Sequence, residues 1–273
     1  MFKPIHLIPE NTSINFLSLK SIFLSISLFV VLISLIASWI IGLNFGIDFR
    51  GGVLLELRSK NGFANISELR SKLNRFNLGE VSIQEFGKPT DALIRIQKQD
   101  GDEKSQDAKL NKVKEMLAIN YEIRRTEFVG PTVGEELKRN GFWAVVVALF
   151  GILMYIWFRF EWQFALSAIL ALFHDVIATI GLFVFTGLEF NLSTVAAVLT
   201  IAGYSVNDTV VVFDRVRENL RKSKSAEQLS IINKSLNETL GRTITTSLTT
   251  LLALLAIYFV GGEVISDFTL AMI

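Results

Sequence analysis

The sequence contains no cysteine. Disulfides, thiol nucleophiles and thiolate metal sites are therefore excluded. Histidine is almost as scarce. His6 and His174 are the only two, and they lie too far apart in sequence to make a metal site by themselves. Neither sign of charge dominates: 27 Lys and Arg stand against 26 Asp and Glu, a net charge of +1. That balance gives no electrostatic footprint for nucleic acid. There is no phosphate-binding loop, no G-x-S-x-G elbow and no H-E-x-x-H pair. Energy from a nucleotide bound to this chain is not expected, no cofactor is called for, and the chain does not read as an enzyme.

What is present is apolar. Of 273 residues 51% are hydrophobic, and the mean hydropathy is +0.45. The apolar residues are gathered into long blocks, which points to a polytopic α-helical membrane protein. The first block, Ser21–Leu43, is long enough to span a bilayer. It is too long for the h-region of a signal peptide and reads as a retained anchor. Four more blocks run roughly Phe142–Phe158, Phe164–Phe185, Leu192–Phe213 and Ile244–Val260. A further apolar run begins at Phe268 and stops at Ile273, so the chain is expected to end inside a sixth helix.

Residues 46–138 differ in kind, with more charge and alternating apolar positions. Val53–Leu57, Val81–Phe86, Ala92–Ile96 and Tyr121–Phe128 read as strands. Asn65-Ile-Ser-Glu68 has capping-box spacing ahead of a helical face at Ile66, Leu69, Leu73 and Phe76. Leu110, Val113 and Leu117 mark a second helix, and Lys88-Pro89-Thr90-Asp91 carries turn chemistry. The order β-α-β-β-α-β predicts a ferredoxin-like α+β domain.

The connectors set an expected orientation. The segment 214–242 holds Arg215, Arg217, Arg221, Lys222, Lys224 and Lys234. The stretches Thr186–Asn191 and Gly261–Glu263 carry no Lys or Arg. The positive-inside rule places segment 214–242 in the cytoplasm. Residues 1–20 are then a cytoplasmic N-terminus, 21–45 the first transmembrane helix and 46–138 an extracytoplasmic domain. Residues 139–273 form the transmembrane bundle.

Asn207 and Asp208 interrupt the fourth apolar block. A carboxylate in hydrocarbon costs about 2.5–3.5 kcal/mol even on lenient insertion scales, so Asp208 is a functional candidate. The plainer alternative is a polar residue that only ties helices together. His174-Asp175 sits mid-block in the third span. It suits either a proton path or a helix contact. Thr243, Thr245, Thr246, Ser247, Thr249 and Thr250 thicken the start of the last full span with hydroxyls, where close helix packing is the simpler account. Gly46, Asp48, Arg50, Gly51 and Gly52 form a glycine-rich junction after the first span, and Asn233-Lys-Ser235 is read as caps and turns.

Four stretches carry a family resemblance. They are Gly46-Ile-Asp-Phe-Arg-Gly-Gly52, Gly130-Pro-Thr-Val-Gly-Glu-Glu-Leu137, Gly203–Arg215 and Thr239–Ser247. Together, in this order, they resemble the SecF family, a subunit of the bacterial protein-export accessory complex SecDF. The single small outer domain favours SecF over SecD. The resemblance implies a resistance-nodulation-division type of membrane fold in the bacterial inner membrane. It implies SecD, the SecYEG channel, a translocating preprotein and membrane lipid as partners. It also implies use of the proton-motive force in export, with Asp208 as the proton-coupling aspartate and Arg242 as its partner. Competing readings are a small-molecule or lipid exporter of the same superfamily, an intramembrane aspartyl enzyme using Asp175 and Asp208, and a passive assembly scaffold.

Overall fold

The computed structural model describes Pro9 and residues 12–60, 62–76, 78, 81–86, 88–96, 103–223, 227–260 and 265–273. His6, Lys224 and Gly261–Glu263 lie outside the described residues. The chain divides into two compact units: Phe45–Trp143 with Phe190–Leu192, and the remainder.

The first unit is built on four strands, β1 (Gly52–Ser59), β2 (Val81–Phe86), β3 (Lys88–Ile96) and β4 (Tyr121–Val129). Their order is β2-β3-β1-β4, and every neighbouring pair is antiparallel. Helices α3 (Ile66–Leu73) and α4 (Glu103–Asn120) complete the β-α-β-β-α-β plan, which is ferredoxin-like. A short α2 (Ile47–Arg50) precedes β1. Because side chains alternate across a strand, Val53, Leu55 and Leu57 share one face of β1. They pack with Ile83, Ala92, Ile94 and Ile96 of the sheet and with Leu69, Leu73, Val113 and Leu117 of the two helices. Each fully buried aliphatic side chain contributes about 1.5–3 kcal/mol. The opposite face is mixed. Leu54 and Leu93 cluster with Ile47 and Val129, while Arg58 and Asp91 face each other across β1 and β3.

Two local readings come out differently. Asn65 does cap α3, its side chain accepting from Glu68 N at 3.0 Å. Glu68 does not reach back to complete the box; its carboxylate pairs with Lys72 at 2.6 Å instead. Pro89, Thr90 and Asp91 belong to β3 and not to a turn. Proline is tolerated there because it sits near the strand's start, and its carbonyl accepts from Ala64 N at 2.8 Å.

The second unit is helical. It contains α1 (Lys20–Ile40), most of α5 (Pro131–Arg159), α6 (Trp162–Thr186), α7 (Leu192–Lys222) apart from its first residue, α8 (Gln228–Val260) and α9 (Ser266–Met272). Five helices are long and apolar enough to cross a membrane, by length and composition: Phe16–Ile40, Thr132–Arg159, Trp162–Thr186, Leu192–Lys222 and Gln228–Val260. Their outward faces carry large apolar side chains, Leu24, Trp39, Phe150 and Phe158 among them. The basic segment after Phe213 is mostly not a loop. α7 runs on to Lys222 and α8 begins at Gln228.

Small residues bring α1 against α6. Ser34 and Ala37 are buried on α1, and Gly181 is buried on α6. Where the hydrophobic effect cannot pull helices together, such close backbone approach supplies the packing. A second cluster joins α5, α6 and α7. Ile156, Phe160, Ala165 and Ala168 meet Val206, Val210 and Phe213, which share one face of α7. At its edge Arg159 pairs with Asp214 at 2.6 Å and lies over the Phe160 ring.

Candidate functional site

Helices α7 and α8 carry most of the singled-out residues. Asp208 lies mid-helix on α7 and is half-buried, with exposed Asn207 beside it. Among the described residues, neither Asp208 nor Arg242 makes a side-chain hydrogen bond or ion pair. Arg242 is exposed on α8, and its carbonyl accepts from Thr246 Oγ1 at 3.1 Å. Asp208 and Arg242 are therefore neither hydrogen-bonded nor ion-paired to each other. Asn207 lines a shallow surface cavity of about 380 Å³ with Thr200, Gly203 and Tyr204.

The hydroxyls of α8 bond their own helix. Thr245 Oγ1 donates to Gly241 O at 2.8 Å, Thr246 also reaches Thr243 O at 2.9 Å, and Thr249 reaches Thr245 O at 2.9 Å. Such back-bonding satisfies each hydroxyl within the helix. It does not string the hydroxyls to one another.

His174 and Asp175 form a real contact. His174 Nδ1 lies 2.8 Å from Asp175 Oδ1, although neighbours on a helix point apart by default. The other carboxylate oxygen, Asp175 Oδ2, accepts from Ser205 Oγ of α7 at 2.5 Å. Asp175 thus bridges α6 to α7 at Ser205, three residues ahead of Asp208. Ser205 carried no sequence signal beyond its place before Asp208.

A polar node joins α7 to α8 further along. Arg215 Nε donates to Glu238 Oε2 at 2.7 Å, and Asn219 Nδ2 donates to the same oxygen at 2.7 Å. Asn219 also donates to Ser235 Oγ at 2.9 Å, and both of these side chains are buried. Ser235 is therefore an interior residue of α8, not part of a turn. Asn233, one turn from Asn237, holds the chain's early segment. Asn237 Oδ1 accepts from Ile14 N at 2.8 Å, Asn233 Oδ1 from Phe16 N at 2.9 Å, and both side-chain amides donate to Ile14 O. The sequence signal for this clamp was the i, i+4 spacing of the two asparagines.

The glycine-rich motif has its own geometry in the first unit. Gly51 and Gly52 adopt φ of +71° and +138°, values that a side chain disfavours. They turn the chain from α2 into β1. Asp48 Oδ2 accepts from Leu192 N at 2.9 Å, and so caps the first residue of α7 from elsewhere in the chain. Gly46 N donates to Phe190 O at 3.0 Å, and Phe45, Phe49 and Phe190 stack around that junction. Arg50 ends α2, adjacent to these contacts.

Two family models match the chain. One, described as protein export membrane protein SecD/SecF, C-terminal, covers residues 108–273. The other, the SecD/SecF GG motif, covers residues 36–62. The chain belongs to the SecD/SecF family. The protein translocase subunit SecF of Rickettsia felis is 43% identical over 268 residues, covering 97% of this chain and 87% of its own length. The protein translocase subunit SecDF of Brucella abortus is 43% identical over 266 residues, covering 97% of this chain but 35% of its own length. The solved structure of SecDF from Thermus thermophilus, a translocon-associated membrane protein, superposes with a TM-score of 0.88 at 36% identity. That match covers 98% of this chain and 36% of the other. SecDF in a super-membrane-facing form gives 0.70 at 35% identity, covering 100% of this chain and 37% of the other. This chain therefore spans about a third of the SecDF relatives and most of the SecF relative. Family membership and five apolar helices make it a multi-pass membrane protein. Gly46 to Gly52 fall inside the GG-motif match, and Asp208 and Arg242 inside the C-terminal match.

Proposed function

We propose that this protein is a SecF-type auxiliary subunit of the Sec protein translocase, and that it uses the proton-motive force to promote late steps of preprotein export. In this reading it works in the bacterial inner membrane beside SecD, the SecYEG channel and the emerging preprotein. Its N-terminus is cytoplasmic and its ferredoxin-like unit extracytoplasmic, the orientation that the basic segment after Phe213 favours.

The observation that carries the reading is Asp208 itself. It is a half-buried carboxylate in the interior of an apolar helix, without a side-chain partner among the described residues. Burial favours the neutral acid, while a nearby guanidinium favours the carboxylate. Arg242 lies in the interior of α8, the helix joined to α7 through Arg215, Asn219, Ser235 and Glu238. A modest helix movement that brings it closer or farther changes the proton affinity of Asp208. A proton crossing the membrane gains about 2.3 kcal/mol per 100 mV. That biases a two-state equilibrium roughly fiftyfold.

Asp208→Asn keeps the size and part of the hydrogen-bonding capacity but cannot cycle a charge. In membrane vesicles holding the assembled complex, it is expected to abolish proton-gradient-dependent release of a preprotein. Assembly is checked separately by copurification. Normal gradient-driven release by assembled Asp208→Asn complexes would remove the proton role and leave the scaffold reading.

A further inference from the structure

The node of Arg215, Asn219, Ser235 and Glu238 lies on the same two helix faces as Asp208 and Arg242. At 100° per residue, Arg215 and Asn219 fall about 20° to either side of Asp208 around α7. On α8, Arg242 falls between Ser235 and Glu238 by the same count, about 20° from one and 40° from the other. The face that α7 turns toward α8 at the node is therefore the face that carries Asp208. The face that α8 turns back carries Arg242.

The pairing also sets a register. Arg215 meets Glu238, and one turn further along α7 Asn219 meets Ser235, three residues back along α8. The helices run antiparallel with a nearly constant step. Seven residues up α7 from Arg215 is Asp208, and the equivalent step along α8 reaches Thr245. Arg242 then lies about 4.5 Å nearer the node along the axis, three residues at 1.5 Å each. Without an ion pair of their own, Asp208 and Arg242 take their spacing from whatever holds the two helices together.

We propose that Asn219 and Glu238 are positioning residues for Asp208: the buried Asn219–Ser235 bond and the half-buried Asn219–Glu238 bond fix the rotation and register of α7 against α8 and so set the environment of the carboxylate. This rests on the proton reading of Asp208. Glu238 accepts from both Arg215 and Asn219 through one oxygen, so losing its acceptor frees two contacts at once. Asn219 is 7% exposed and Ser235 is fully buried, so water cannot readily replace their bond. Among the described residues, the charged groups around this face are Arg215, its second partner Glu218 and Lys222 on α7, Lys234, Glu238 and Arg242 on α8, and His174 and Asp175 on α6, reached through Ser205. All but Glu238 stay in place in the variants below.

The test is carbodiimide labelling of Asp208 across pH in membranes that hold the assembled complex. Modified peptides are mapped by mass spectrometry, and Asp208→Asn identifies the site. Asn219→Leu and Glu238→Leu are each expected to move the labelling midpoint by about half a pH unit or more, because a neighbouring charge acts strongly only within about 4–6 Å. Glu238→Gln keeps an acceptor for Asn219 and is expected to leave the wild-type profile. If Asn219→Leu does not accumulate, the two Glu238 variants decide. Unchanged profiles in the leucine variants would overturn the proposal. So would Glu238→Gln moving the profile as far as Glu238→Leu, since charge and not position would then be acting. Gradient-driven preprotein release, measured on the same membranes, judges the proton reading separately. If Asp208→Asn releases normally, that reading falls while the labelling comparison still judges the positioning.

Discussion

The ion pair of Arg58 with Asp91 in the ferredoxin-like unit allows a stability effect to be worked through. The two residues are direct cross-strand partners in β1 and β3. Arg58 Nε donates to Asp91 Oδ1 at 2.8 Å and Nη2 to Oδ2 at 2.6 Å, a forked pairing. Thr90 Oγ1 adds a third hydrogen bond at 2.9 Å. The Asp91 side chain is only 2% exposed, that of Arg58 36%. Arg58→Met removes the partner and leaves a buried carboxylate. Breaking a fully buried pair costs about 3–5 kcal/mol. Here one partner is a third exposed, and water screens part of the interaction, so about 2–3 kcal/mol is the expected loss at neutral pH. For a domain of this size that lowers Tm by roughly 10–20 °C, at about 4–8 °C per kcal/mol.

The pH dependence has a definite sign. The hydrogen bonds from Arg58 hold the Asp91 carboxyl below the ordinary range, against the opposing effect of burial. A depressed folded-state pKa contributes stability that is fully present above the unfolded value, about 3.9 for aspartate. It is lost as pH falls through the folded-state value. The gap between wild type and Arg58→Met is therefore widest near neutrality and narrows in acid. Thermal melts of residues 45–143 followed by circular dichroism, at several pH values, check both statements. Equal Tm at pH 7, or a gap that ignores pH, would refute the reasoning. The double variant Arg58→Met with Asp91→Leu is expected to recover most of the loss, because two apolar groups replace a pair without leaving a buried charge.

Gly181 gives a test of the α1–α6 packing. A Cβ there would lie 2.5 Å from Ser34 Cβ and 3.2 Å from its Cα, so Gly181→Ala is expected to destabilise by about 1–3 kcal/mol. Ser34→Gly should restore the loss; a Gly181→Ala protein as heat-resistant as wild type in detergent would contradict the close approach. Orientation is tested by labelling single cysteines with an impermeant reagent. Ser67→Cys is expected to react in intact spheroplasts and Glu227→Cys only after permeabilisation, and the reverse pattern would invert the proposed topology.

Much of the fold was legible because its signals are local. A run of about twenty apolar residues has few fates besides a spanning helix, and alternation in Val53–Leu57 commits one face of a strand to a core. Helix ends were less legible. The apolar signal stops at Phe213 and resumes at Ile244, but α7 and α8 continue into polar sequence, held by Arg215, Asn219, Ser235 and Glu238. Hydropathy reports where lipid can be, not where a helix stops. Pro89–Asp91 looked like a turn because local chemistry favours one. The Arg58 pairing and the Ala64 bond, from residues far along the chain, drew it into a strand.

The sequence by itself determined the class of protein, the order of elements, and Asp208 as an expensive charge in an apolar helix. Those conclusions need only composition, period and the cost of burying a carboxylate. Which side chains meet was decided by the tertiary structure alone. Asp175 could have faced lipid, a partner or its neighbour; it meets its neighbour His174, and the packing of α6 on α7 added Ser205. Asp48 reads as part of a glycine motif, yet it accepts a bond from Leu192, 144 positions away. Asn233 and Asn237 resemble any polar helix residues until the chain near Ile14 returns to them. A hydrogen bond needs its two atoms within about 3 Å and aligned, and that condition depends on how distant helices pack.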